Sequence, residues 1–93
     1  MSKNNKIRYS ISWWDNDNMV LEGLSIRENH VYHFCTHYYR YWDDILRRSK
    51  VLKGSTTEKE ITKSEALQLI EKNKSKIEKE ELDGFMKALN MLG

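Results

Sequence analysis

The chain has 93 residues and 11.2 kDa, enough for one domain with a modest core but too little for a catalytic cleft between two lobes. Apolar residues make up 39% and charged residues 32%, which excludes a fully disordered chain. A net charge of +2 also excludes a strongly basic nucleic-acid-binding protein. We expect one globular domain over residues 1–93, with a disordered tail at residues 1–5.

Cysteine content and the N-terminal composition predict a cellular location. Cys35 is the single cysteine, so no intramolecular disulfide can form. The N-terminus lacks the apolar run of a signal peptide, and no stretch approaches the roughly 18 apolar residues of a membrane span. We expect a cytoplasmic protein without a membrane partner. The lack of proline and the many Lys, Asn and Ile residues suggest a bacterial or phage accessory protein.

A β-hairpin is predicted at the start of the chain. Residues 7–13 alternate apolar and polar side chains, which is typical of a half-buried strand. Residues 15–18 favour a turn because Asn and Asp tolerate left-handed backbone, and residues 19–26 then form the returning strand. With the turn centred on Asn16 and Asp17, the predicted pairs are Trp13 with Val20, Ile11 with Glu22, Tyr9 with Leu24 and Ile7 with Ile26.

The central stretch, residues 30–42, fits two templates. Its apolar spacing suits a helix, whereas its β-branched and aromatic content suits a strand. As a strand, it follows a three-residue loop at 28–30 and completes a meander. That register places Tyr32, Phe34 and Tyr38 in the core. Residues 43–50 then form a helical turn or two, or a short fourth strand, and residues 53–61 form a flexible loop.

Two C-terminal helices are predicted from their start signals. Thr62 and Glu65 fit a capping box, in which each residue satisfies a backbone amide of the other. Ser75 and Glu78 fit a second box. The predicted fold is therefore α+β, an N-terminal antiparallel β-meander of two or three strands followed by two amphipathic helices. The last helix turns an apolar stripe toward the core, namely Leu82, Phe85, Leu89 and Leu92.

The histidines and the cysteine of the central stretch raise two chemical hypotheses. His33 and His37 would lie roughly 13 Å apart on a strand, too far for one metal ion, although a helix would bring them together. The sequence has no paired Cys-x-x-Cys. Cys35 beside His33 or His37 would suit a thiolate nucleophile, but we find no nucleophile elbow and no phosphate loop. We predict no metal, no cofactor and no enzymatic activity.

Aromatic and basic residues after position 37 suggest binding of a macromolecule. Trp, Tyr and Arg are enriched at interface hot spots. We predict an interaction module that binds a protein partner, or itself, through an aromatic and basic sheet surface. The alternative is a single-stranded nucleic-acid-binding protein, in which Tyr and Trp stack on bases and Arg and Lys contact phosphates. The predicted partner-binding residues are Trp14, Tyr39, Arg40, Tyr41, Arg47 and Arg48.

Overall fold

The computed structural model describes residues 7–15, 18–52 and 54–92, so the predicted tail at 1–5 and the turn centre at residues 16–17 lie outside the described residues. Within these residues the chain forms two antiparallel sheets and two α-helices. No described helix has the length and apolar content needed to cross a bilayer. The elements are β1 (Tyr9–Asp15), β2 (Val20–Arg27), β3 (His30–His37), β4 (Tyr39–Asp43), β5 (Arg48–Leu52), β6 (Thr56–Ile61), α1 (Lys63–Asn73), a 3-10 helix (Lys74–Lys76) and α2 (Lys79–Asn90).

The α+β class is confirmed, but the predicted meander of two or three strands is wrong. The larger sheet has four strands in the order β1-β2-β3-β6, and β4 and β5 form a second sheet of two. The fourth strand, β6, lies in the segment 53–61 that was predicted as a loop. Residues Thr56 to Glu60 are all polar and exposed, so the sequence lacks the apolar alternation by which a strand is usually predicted. Backbone pairing with β3 forms this strand instead.

The β1–β2 pairing differs from the predicted register by two residues. Tyr9 lies opposite Ile26 and Ile11 lies opposite Leu24. The turn begins at Asp15, whose backbone carbonyl accepts the Asn18 N–H at 3.2 Å and whose carboxylate accepts the Asn18 side-chain amide at 2.9 Å. Because side chains alternate with period two, a two-residue shift leaves the predicted faces of both strands unchanged.

The β2–β3 pairing differs from the predicted register by one residue. The connection has two residues, Glu28 and Asn29, with positive φ values of 51° and 70°, as in a type I′ turn. The predicted three-residue loop is therefore wrong. The strand alternative for the central stretch is confirmed, but a one-residue slip exchanges its faces. Val31 now lies on the core side, and the predicted core placement of Tyr32, Phe34 and Tyr38 is wrong.

Both helices pack on one face of the four-stranded sheet. The ring of Phe85 in α2 is fully buried and meets Tyr9 of β1 edge-on, with centroids 6.3 Å apart. Within the described residues, no element covers the opposite face of this sheet, which we call the open face. The buried apolar core comprises Ile11, Trp13, Leu24, Ile26 and Val31 from the sheet, with Ala66, Ile70, Ile77, Phe85, Ala88 and Leu89 from the helical half of the chain.

The first helix begins at the predicted capping box, and the second does not. Thr62 N–H donates to Glu65 Oε1 at 2.9 Å, and Glu65 N–H donates to Thr62 Oγ1 at 3.1 Å, so the first box is confirmed. Ser75 instead lies in the 3-10 helix, and α2 begins after Glu78 without a side-chain cap. Ile77, between the 3-10 helix and α2, has extended backbone with φ −108° and ψ 133°, so the chain is not helical from Ser75 to Glu78 and the second box does not form.

The capping box predicts a pH dependence of stability. Hydrogen bonds from Thr62 lower the pKa of Glu65 below its ordinary value of 4.5. The stability that ionised Glu65 adds to the folded protein is therefore complete when the pH is above that ordinary value, and it is lost as the pH falls through the lowered pKa. In thermal unfolding between about pH 7 and about pH 3, we expect Glu65→Gln to be less stable than the wild type at neutral pH. The two proteins should converge in acid, and a constant difference would contradict this origin.

Candidate interaction surface

Two strands of the larger sheet continue beyond its end as a hairpin. Only Tyr38 separates β3 from β4, and three residues, 53–55, separate β5 from β6. Thr36 lies opposite Thr56, but Tyr39 lies opposite Leu52, so one strand carries an extra residue as in a β-bulge. We call residues 39–52, which comprise β4, β5 and their turn, the arm.

The arm makes the molecule elongated. The principal dimensions are 56, 31 and 21 Å, and the radius of gyration is 16.3 Å. A compact domain of this length would have a radius of gyration of about 12 Å. Strands β4 and β5 pack on each other, and among the described residues no other element contacts either of them extensively. The arm therefore lacks the covering layer that normally stabilises a two-stranded hairpin.

The base of the arm is held by the β1–β2 turn. Tyr38 N–H donates to the Met19 carbonyl at 3.0 Å, and Arg40 Nε contacts the Met19 sulfur at 3.1 Å. The rings of Trp14 and Tyr38 lie 5.4 Å apart at 33°. At the same junction, His37 N–H donates to the Ser55 carbonyl at 3.0 Å. These contacts hold the start of the arm in place while the rest of it extends into solvent.

The tip of the arm is closed by an acidic side chain. Asp43 Oδ1 accepts the backbone N–H groups of Ile45 and Leu46 at 3.0 and 2.9 Å. Its other oxygen lies 3.7 Å from Lys50 Nζ. Asp43 is therefore engaged in shaping the turn, which presents Ile45 outward.

Large apolar side chains are exposed along the arm. Ile45 is 92% exposed and Trp42 is 60% exposed. Single exposed apolar residues are normal, but a contiguous group commonly marks an interaction site. The pairing divides the strand residues into one side with Tyr39, Tyr41, Lys50 and Leu52 and another with Arg40, Trp42, Ser49 and Val51. The exposed group is Tyr39, Tyr41, Trp42, Ile45, Leu46, Val51 and Leu52.

The arm also carries the net charge of the protein. It has four Lys/Arg against two Asp/Glu, whereas the rest of the chain has twelve of each. Within the described residues, Arg40, Arg47 and Arg48 form no ion pair. These three cations are therefore available to an external acidic group.

Several charged groups of the open face are, by contrast, paired within the protein. Arg27 donates two hydrogen bonds to the Glu58 carboxylate, at 2.7 and 3.1 Å, and lies 4.1 Å from the Tyr32 ring centroid. His30 Nδ1 lies 2.6 Å from Glu60 Oε2. The unsatisfied charge and the exposed apolar surface thus coincide on the arm rather than on the open face.

Five of the six predicted partner-binding residues lie on the arm. Tyr39, Arg40 and Tyr41 belong to β4, Arg48 begins β5 and Arg47 precedes it in the turn. Trp14, the sixth, lies on the open face beside Tyr38 at the base of the arm. The structure thus brings the whole predicted set to one end of the molecule.

The sequence interpretation missed the apolar members of the arm. Trp42, Ile45, Leu46, Val51 and Leu52 were not among the predicted contact residues. Of the two structures considered for 43–50, the helical one is wrong, because four turn residues lead into β5 at Arg48. The signal that would have found the hairpin is the pair Asp43-Asp44 between two strand-forming runs, since Asp favours turns.

The arm is therefore a defined surface, with bounds, exposed side chains and unpaired cations. No family model, curated protein or solved structure matches this chain. Its function must be inferred from the exposure and charge of its own residues.

The histidines and cysteine of β3 are engaged with different partners in the described part of the chain. Glu22 accepts the buried Trp13 indole N–H at 3.2 Å and lies 2.7 Å from His33 Nε2. Cys35 Sγ is 4.0 Å from His37 Nδ1, but burial, and then the charge of Glu22, raise the pKa of the thiol. A protonated thiol is a poor nucleophile. No described group of three or more His, Cys, Asp or Glu side chains is arranged to hold a metal ion.

Proposed function

We propose that this protein is a small non-catalytic interaction module that binds a partner protein through the arm. The observation that carries the proposal is the coincidence, on one projecting hairpin, of exposed apolar side chains with three arginines that form no ion pair with a described residue. Such a hairpin gains stability when a partner covers it, because a two-stranded hairpin alone is marginal in water. The proposed contact residues are those predicted from the sequence, together with Trp42, Ile45 and Leu46.

The chemistry of the partner follows from the composition of the arm. The aliphatic side chains at Ile45, Leu46 and Val51 offer no face on which a base can stack, and they suit an apolar groove of a folded protein. The unpaired arginines suit an acidic rim around that groove, because complementary charge steers encounter and fixes orientation. Arm-to-arm association of two copies is disfavoured, because each arm carries a net positive charge. We therefore propose a partner with an apolar groove and acidic borders.

An affinity capture from cell lysate tests the proposal. The double variant Trp42→Ser/Ile45→Ser removes the two most exposed apolar side chains of the arm without touching the core. We expect it to lose about 30-fold or more in affinity for the captured protein, since a hot-spot residue contributes at least about 2 kcal/mol. Met91→Ser is the matched control, because Met91 is 67% exposed but lies outside the arm.

Nuclease treatment of the lysate gives the capture experiment a second comparison. We expect the captured protein and its dependence on the arm to survive nuclease. A partner retained equally by the arm variant and by Met91→Ser would contradict the proposed surface.

A single-stranded nucleic acid is the second candidate, supported by one feature of the arm. Tyr39 and Tyr41 share a side with Lys50, so two stacking rings lie beside a cation. Titration with an oligodeoxythymidylate tests this alternative by tryptophan fluorescence. Quenching that disappears with added salt would support it, because phosphate contacts are weakened by counterions. Absence of quenching at low ionic strength would exclude binding of single-stranded nucleic acid by the arm.

A further inference from the structure

The two outer strands of the four-stranded sheet differ in how their free edges are protected. Strand β6 carries Glu58, Lys59 and Glu60, and charged side chains are a common means of preventing edge-to-edge pairing. Strand β1 has no charged residue, proline or glycine between Tyr9 and Trp14. Among the described residues, no strand pairs with the outer edge of β1. Its backbone is therefore an open template for another strand.

The geometry of β1 suits regular pairing. All seven of its residues pair with β2 in one register, without a bulge. Ile11 and Trp13 are already buried beneath the helices, so the edge offers mainly backbone groups. Tyr9, 39% exposed, stands at one end of β1 and can cover an added strand. Such a strand would gain main-chain hydrogen bonds and an aromatic contact.

We propose that β1 pairs antiparallel with β1 of a second copy, joining two four-stranded sheets into one of eight strands. A two-fold axis perpendicular to the sheet generates this interface and keeps both helical layers on the same side. Full overlap of the seven residues places Ser12 opposite Ser12 of the second copy, and Tyr9 opposite Asp15. This interface is separate from the arm.

The distribution of charge is compatible with a second copy as the occupant of this edge. In the fully overlapped register, Ser10 to Trp14 contribute no charge, and no two like charges lie directly opposite each other. The two arms point away from each other, because the two copies run in opposite directions about the axis. The dimer would therefore present two arms and bind a multivalent partner with enhanced avidity.

The test exploits the residue on the axis. Ser12 is exposed on the open face, so Ser12→Lys leaves the core intact but places two lysines opposite each other in the dimer. By sedimentation equilibrium, we expect the wild type to reach twice the chain mass of 11.2 kDa. Ser12→Lys should weaken the dimer about fivefold, the effect of a like-charge cross-strand pair. Ser49→Lys, at an exposed serine of the arm, is the matched control and should dimerise normally.

A mixture of variants makes the test specific to the proposed register. An equimolar mixture of Ser12→Lys and Ser12→Glu should form a mixed dimer more tightly than either variant forms its own. A wild type that remains monomeric at about 100 μM, well above the micromolar range of ordinary association, would overturn the proposal. So would a dimer unaffected by Ser12→Lys. The Trp42→Ser/Ile45→Ser variant should still dimerise, so a failure of the arm proposal and a failure of this one are distinguishable.

Discussion

Replacing Gly23 with alanine is expected to destabilise the protein by about 3 kcal/mol, at the upper end of the range for overpacking a core. A Cβ atom at this position would overlap the backbone carbonyl oxygen of Ile11 and lie 2.5 Å from Cζ of Phe34. Ile11 is in the neighbouring strand β1, so its carbonyl cannot move without separating β1 from β2. Urea denaturation followed by tryptophan fluorescence measures the change in the free energy of unfolding.

Gly84 in α2 is the control for this prediction. A Cβ atom there would overlap the hydroxyl of Tyr9, which is the far end of a flexible, partly exposed side chain. Alanine also favours a helix interior by about 1 kcal/mol over glycine. We therefore expect Gly84→Ala to leave stability nearly unchanged. Equal losses from the two substitutions would show that the close approach at Gly23 is not the cause.

Replacing Phe85 with alanine should destabilise the protein by about 3–5 kcal/mol, the usual loss for a fully buried aromatic ring. Phe85 is fully buried, and its contact with Tyr9 joins α2 to β1. Removing the ring loses its apolar burial and leaves a cavity between the helix and the sheet. The free energy of unfolding of a natural domain is typically about 5–15 kcal/mol, so this single change would remove a large part of it.

Leu67→Ala provides the comparison for Phe85→Ala, since Leu67 is an exposed apolar residue of α1. We expect a loss within about 0.5 kcal/mol, as for most surface substitutions. The denaturant slope should stay constant across these variants if each changes only the stability of the native state. A loss below about 1 kcal/mol for Phe85→Ala would contradict the packing described for α2.

These two substitutions act on a part of the molecule that is distinct from the arm. Gly23 lies in the four-stranded sheet and Phe85 in the helical layer that covers it. Trp42 and Ile45 lie in the arm, which makes no extensive contact with either layer. Variants of the arm should therefore change binding without changing the cooperative unfolding of the core. This separation allows a binding defect to be interpreted without correcting for loss of fold.

The elements that the sequence predicted correctly are those with strong local signals. The alternation in residues 7–13 marked β1 and its buried face, and Thr62 with Glu65 marked the start of α1. The faces of the first hairpin survived a two-residue error in register, since an even shift preserves the alternation. The turn at Glu28 and Asn29 is one residue shorter than predicted. Because this error shifts the register by an odd number, it exchanged the core-facing and outward-facing side chains of β3.

The sequence predicted only some members of the candidate site, all of them aromatic or basic. Trp, Tyr and Arg are typical of interfaces by residue type alone, so Tyr39, Arg40 and Tyr41 could be selected without a structure. Ile45 and Leu46 could not, because an aliphatic residue in a sequence is normally assigned to the core. Their exposure became evident only when the hairpin was seen to extend beyond the sheet.

The amino-acid sequence by itself determined the α+β class, the first hairpin and the first helix start, because periodicity and capping act between residues close in the chain. Only the tertiary structure decided that Thr56–Ile61 is a strand, since the residues of β3 with which it pairs lie 20 to 30 positions earlier in the chain. It also decided which cations remain unpaired. Arg27 is neutralised by Glu58, thirty-one residues away, whereas Arg47 and Arg48 form no ion pair with any described carboxylate.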